Sequence, residues 1–235
     1  MPGVLAVNAA VVLVGVLLLW LVSLRTRDPS FIDAAWGLGF VVIAWTSFAV
    51  TDAGPDRRPL LLAITTVWGL RLAGYLFWRW RRNGPDRRYV AMLRRAENPQ
   101  LFTLTHVFLL QGVLMLVVSL PVQFGMAADH PDALGVAQYL GAALALVGIA
   151  VETVADLQLV RFKADPDNNG KVLDTGLWRY TRHPNYFGDF CTWWGIFLVS
   201  LSTAASIAGV VGPLVMSFLL MRWSGVGPLE HHLRR

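Results

Sequence analysis

Long apolar runs separated by short polar links set the pattern of this chain. The runs fall at about 4–24, 31–50, 60–78, 101–127, 134–157, 186–202 and 205–221. Each is close to the roughly 20 residues that a helix needs to cross a bilayer. The first stretch carries no charge before Arg25. It is too long for a secretory signal, lacks a basic start and has no small-residue cleavage site, so it reads as a span. Pro121 is expected to kink the fourth run and Gly212-Pro213 the seventh. The fold class is therefore all-α: a polytopic transmembrane bundle of about seven spans, with residues 1–235 forming one membrane domain.

The links differ in charge. The first carries Arg25 and Arg27, and the third carries Arg79, Arg81, Arg82, Arg87, Arg88, Arg94 and Arg95. The fifth carries Arg161, Lys163, Lys171, Arg179 and Arg182, while the fourth and sixth have no Lys or Arg. In the second, Arg57 and Arg58 are offset by Asp52 and Asp56. Basic links stay in the cytoplasm, which sets the N-terminus outside and the C-terminus inside, with an odd number of spans. Composition agrees: 55% of residues are hydrophobic and mean hydropathy is +0.52. The net charge of +5 sets topology and does not point to nucleic acid. A single cysteine, Cys191, rules out an internal disulfide and a cysteine metal cluster. No metal site is expected.

The two long basic links, 79–100 and 158–182, fall on one face, where long loops tend to carry function. Glu152 and Asp156 are spaced i, i+4 and share a helix face near the end of an apolar run. Acids at membrane depth require compensation. A ligand offering hydroxyls and amides would supply it, as would Arg161 or an arginine of the third link. Lys163 and Lys171, the only two lysines, flank a Pro/Asn/Gly turn suited to phosphate. Pro184 suits the first turn of a helix. Beyond it Asn185 and Asp189 are again i, i+4, and Gly188 permits a close approach. Trp178, Tyr180 and Tyr186 offer rings for stacking or for the membrane interface.

The segment Trp178-Arg-Tyr-Thr-Arg-His-Pro-Asn-Tyr-Phe-Gly-Asp189 resembles the Arg-His-Pro-Asn-Tyr-x-Gly-Asp motif of membrane sterol reductases and steroid 5-alpha-reductases. Upstream, Glu152-x-x-x-Asp156-x-Gln-x-x-Arg161-x-Lys163 is similar to their helix-end Asn-x-x-x-Asp and following basic run. The match is strong over the last third of the chain, and its nearest likeness is to the bacterial branch of that superfamily. The resemblance implies NADPH-dependent reduction of an activated carbon–carbon double bond in a lipid, with cofactor binding concentrated in about 150–235. It implies that Glu152, Asp156, Asn185 and Asp189 hold ribose, nicotinamide amide or backbone, and that Arg161, Lys163, Lys171 and Arg182 hold phosphates. Trp178, Tyr180, His183 and Tyr186 join them from the motif itself, and Arg71, Arg79, Arg88 and Tyr89 resemble the family's second basic segment. The family's Gln-Glu pair and tyrosine for a steroid carbonyl are replaced by Asp33 on the second span and by Trp68 and Arg71 on the third, so a 3-oxo-steroid is not the expected substrate. The family also continues past Glu230 with a tyrosine-containing tail. This chain ends at Arg235, so part of the cofactor lid is expected to be missing.

The chemistry so implied is hydride delivery to the β-carbon of a conjugated carbonyl, with Asp33, Tyr75, Tyr89 and Tyr186 as candidate proton donors. Two other readings stand beside it. Membrane isoprenylcysteine and phospholipid methyltransferases, which use S-adenosylmethionine, share Arg-His-Pro-x-Tyr-x-Gly but add a Glu-Glu pair where this chain has Glu230-His231. A transporter or lipid-binding protein would place its polar residues near the membrane midplane. The expected partners are a hydrophobic lipid-like substrate and membrane lipids. The expected setting is a bacterial inner membrane, with the cofactor facing the cytoplasm and the protein a monomer or weak homo-oligomer.

Overall fold

A computed structural model describes residues 1–51, 57–128 and 133–223, and the described residues are all-helical without strands. Helix α1 spans Pro2–Thr26, α2 Ile32–Ala49, α3 Arg57–Asn83 and α4 Arg87–Leu93. Next, α5 (Pro99–Phe102) passes through a π-helical stretch, Thr103–Leu109, into α6 (Leu110–Val118), followed by α7 (Leu120–Ala127). Then come α8 (Val136–Ala164) and α9 (Pro184–Ser200), a 3-10 stretch (Ala204–Val210) and α10 (Val211–Phe218). Six helical segments are long and apolar enough to cross a membrane. The remaining expected crossing, the sixth run, is α9, which at 17 residues is shorter than these six. It runs antiparallel to α8 and is buried along most of its length.

The outer surface shows which solvent the fold is built for. Leu18, Val67, Val113, Leu140, Leu146 and Phe218 are each more than half exposed. In water such a band would be costly, whereas in hydrocarbon it is neutral. Inside, Phe40, Trp68 and Trp193 meet edge-on, with ring centroids 4.8–5.4 Å apart. Small residues set the helix spacing. A Cβ on Gly195 would lie 2.5 Å from Ala145 N, and one on Gly188 would lie 2.6 Å from both Gly148 O and Glu152 N. A Cβ on Gly37 would lie 2.9 Å from Ala73 N. Without Cβ atoms, α8 and α9, and likewise α2 and α3, approach backbone to backbone, the commonest way to gain packing between helices in lipid.

The fourth apolar run breaks at Ser119, with Pro121 in the first turn of the following helix, as the sequence predicts. The seventh run differs from expectation. Its irregular stretch ends at Val210, and Gly212 and Pro213 lie in the first turn of regular α10, where a missing N–H leaves no bond unmade. The two breaks touch: a Cβ on Gly212 would come within 2.6 Å of Pro121 Cδ.

Two ends of the bundle follow from the contacts. At one, Trp20 Nε1 donates to Gln100 O at 3.3 Å and Trp80 Nε1 to Asp28 Oδ2 at 2.8 Å, so the end of α1, the start of α2, the end of α3 and the start of α5 lie together. At the other, Asn8 Nδ2 donates to Ser47 Oγ (2.8 Å) and Gln123 Oε1 (3.0 Å). Arg57 and Arg58 belong to this second end. Both are buried, and they donate to carbonyls that close α7: Arg57 to Gly125 O (3.2 Å) and Ala128 O, Arg58 to Ala128 O (3.4 Å). Cations at a helix C-terminus complement its dipole. Asp52 and Asp56, expected to offset them, lie outside the described residues.

Candidate functional site

Three i, i+3 or i, i+4 pairs from three helices converge near the first end. From α3 come Trp68 and Arg71, from α8 Glu152 and Asp156, from α9 Asn185 and Asp189. Arg71 forms ion pairs with Glu152 and with Asp156 (2.8 Å). Trp68 Nε1 donates to Glu152 Oε2 at 3.2 Å, and Asn185 Nδ2 to Asp156 Oδ1 at 3.2 Å. Glu152, Asp156 and Asp189 are each at least nine-tenths buried. The sequence explains why they meet. Pro184 starts α9 with His183 as its N-cap, and Gly188 lets that helix lie flat on the Glu152 backbone. The close approach that Gly188 permits is thus that of a neighbouring helix.

The compensating cation is neither Arg161 nor an arginine of the third link, as the sequence had suggested, but Arg71 from within α3. Arg161 is exposed and sits five residues beyond Asp156, on another helix face. Three buried polar atoms here have no partner among the described residues: Arg71 Nε, Asp189 Oδ1 and Trp193 Nε1. They comprise two donors and one acceptor, a set that one amide or hydroxyl group of a ligand can satisfy. The rings of Trp68, Trp193, Phe40 and Trp36 form an apolar floor beneath them.

A second polar group lies at the same end, where α4 meets α2. Tyr89 Oη donates to Asp33 Oδ1 at 2.6 Å and accepts from Gln111 Nε2 at 3.4 Å, and Arg88 pairs with Asp33 (3.1 Å) and Asp86 (2.9 Å). Burial and then the Asp33 charge push the Tyr89 phenol above its ordinary value. Hydrogen bonding to Asp86 outweighs burial and raises Arg88. Burial acts against ionised Asp86, but its bonds from the Arg88 side chain and backbone hold the carboxyl below its ordinary value. Arg79 lies within electrostatic reach of Asp33, Asp86, Tyr75, Asp156 and Tyr186, and its guanidinium stands 5.9 Å from the Tyr75 ring centre. It joins the two groups.

The remaining residues singled out by sequence surround this end. Arg161, Lys163, Lys171, Tyr180 and Arg182 are exposed on or beside the 164–183 connection. Trp178 is structural in its contacts, donating from Nε1 to Ala155 O at 3.1 Å. Gln158 Oε1 accepts from Leu177 N at 3.0 Å beside Gly176, whose φ of +61° favours glycine. His183 stacks on Tyr186 with centroids 5.3 Å apart. Glu230 and His231 lie outside the described residues. Sequence reasoning missed Gln111 and did not see Trp68 as a donor to Glu152. The usable signal was an indole and a guanidinium three residues apart in an otherwise apolar span.

Fold and site thus define a polytopic helical membrane protein with a buried acid–amide cluster at one end. A family model described as "Protein of unknown function (DUF1295)" matches residues 19–235. The chain belongs to this family, a membrane family of steroid 5-alpha-reductase-like proteins. A Schizosaccharomyces pombe protein, "Uncharacterized protein C594.04c", is 24% identical over 236 aligned residues, which cover 88% of this chain and 65% of that relative's length. No solved structure matches the chain.

Proposed function

We propose that this protein is an NADPH-dependent membrane reductase of an activated carbon–carbon double bond in a lipid-like substrate. The observation that carries the reading is the convergence of Glu152, Asp156, Asn185 and Asp189, four motif residues from two helices, around Arg71. A purely structural ion pair would need neither the amide of Asn185 nor the open acceptor on Asp189. The residues fit the cofactor. The unpartnered donors and acceptor suit an amide or ribose hydroxyl, and the exposed cations Arg161, Lys163, Lys171 and Arg182 suit phosphates.

When bound, NADPH supplies the hydride. The chain's own residues do the rest. Arg71 pairs with both Glu152 and Asp156 and so cancels one of their formal charges, which lessens the repulsion that a polyanionic cofactor meets. Asn185 and Asp189 orient by hydrogen bonds, and the aromatic floor excludes water. Tyr89, whose hydroxyl proton rests on Asp33, would turn that proton to a developing enolate and regain one from water afterwards. Tyr75 and Tyr186 are the alternative donors at this end. The basic links further support a cytoplasmic cofactor end.

Calorimetry on the full chain in detergent tests this. Saturable NADPH binding is expected, weakened about tenfold by Asn185→Ala through loss of a buried hydrogen bond. Binding of S-adenosylmethionine without NADPH binding would assign a methyltransferase instead.

A further inference from the structure

We propose that the outward face of α4 binds the headgroup of an anionic phospholipid, a site independent of the reductase reading. Arg87, Val90, Ala91 and Arg94 line an open concavity of about 300 Å³. Their spacing, i, i+3, i+4 and i+7, puts all four on one face of the helix. The opposite face is committed inward, with Tyr89 buried and bonded to Asp33 and Arg88 paired to Asp33 and Asp86. Neither the Arg87 nor the Arg94 side chain makes a hydrogen bond or ion pair among the described residues. Asp86, the acid beside Arg87 in the chain, is taken by Arg88.

The depth of the face identifies the occupant. The lipid-facing side chains of α3 continue through Val67 and Leu70 to Phe77 and Trp78, all exposed. Arg82 sits over the Trp78 ring at 5.5 Å, an aromatic–cation pair typical of the headgroup layer. Helix α3 ends at Asn83 and α4 starts at Arg87, so α4 lies level with the lipid headgroups. Two guanidiniums seven residues apart are separated by roughly 10 Å along the helix. Between them Val90 and Ala91 offer an apolar strip for the glycerol and first methylenes. Guanidinium forks hold phosphate oxygens in two-pronged fashion, and a zwitterionic headgroup would bring its own cation into the same space.

The test uses the full chain in detergent, titrated with short-chain phosphatidylglycerol, short-chain phosphatidylcholine or inorganic phosphate and read by native mass spectrometry. Phosphatidylglycerol is expected to bind in preference to both. Arg87→Gln with Arg94→Gln should weaken it about 30-fold, at the usual strength of two surface arginines on anionic lipid. Arg25→Gln with Arg27→Gln, an exposed basic pair at the end of α1, should change it less than about twofold, because neither side chain lines the concavity and only contact with the bound headgroup carries the per-arginine gain. Hydrogen exchange of residues 87–94 should slow with phosphatidylglycerol in the wild type and not in the α4 variant. Equal losses from the two pairs would show diffuse attraction and overturn the site. So would no loss at all, or saturation by inorganic phosphate at the concentration that phosphatidylglycerol requires.

Discussion

Arg71→Met removes the cation that Glu152 and Asp156 share while keeping an apolar side chain of similar length. Arg71 is 16% exposed, and the two acids are 5% and 7% exposed at the side chain, so water does little to screen what remains. Breaking one side of a buried ion pair costs about 3–5 kcal/mol, because the partner charges stay buried. The hydrogen bonds from Trp68 and Asn185 remain and offset part of this. A loss of about 4 kcal/mol is a large share of a typical stability of 5–15 kcal/mol. Removing the stranded charges as well, in Arg71→Met/Glu152→Gln/Asp156→Asn, should restore most of it, since replacing a whole buried network is often near neutral. The assay is denaturant unfolding in micelles, followed by helical circular dichroism. A single variant that loses less than about 1 kcal/mol, as an exposed pair would, refutes the reasoning. A triple variant no more stable than the single one does so equally.

Other consequences follow from the same contacts. Gly188→Ala drives a Cβ into Gly148 O and Glu152 N, backbone atoms that cannot swing aside; thermal melting should show a loss of at least about 1–3 kcal/mol. Gly74→Ala on α3, where no atom lies within 4 Å, should stabilise by about 0.5–1 kcal/mol in the same assay. Tyr89→Phe leaves Asp33 without its 2.6 Å donor and should cost about 1 kcal/mol, seen as faster exchange of the α4 amides. Asp86, the N-cap of α4, has its carboxyl held below the ordinary 3.8. Its contribution is therefore complete above that value and fades as pH falls through the lower folded value. Protection of the α4 amides, taken relative to their intrinsic exchange at each pH, should fall in that acid window in the wild type and be flat with pH in Asp86→Ala.

How far the sequence reveals this molecule depends on whether the cause is local. Span positions follow from runs of apolar residues, and the break at Pro121 follows from one missing N–H. The pairs Glu152/Asp156 and Asn185/Asp189 are visible because helical spacing alone puts each on one face. The partner of the acids is not visible, because Arg71 lies 81 and 85 residues from them and hydropathy does not fix how helices align in depth. The carbonyl partners of Arg57 and Arg58, nearly 70 residues on, are hidden for the same reason. The helix start at Gly212-Pro213 escapes notice because proline ends one helix and begins another with equal ease.

The central claim concerns what the acid–amide cluster holds, and a structure of the full chain determined in nanodiscs with NADPH added tests it directly. The account predicts density for the nicotinamide carboxamide against Asn185 and Asp189, with the phosphates reaching the cations of 158–182. Density for NADPH elsewhere on the protein, or a cluster that stays closed on Arg71 at saturating NADPH, would contradict it.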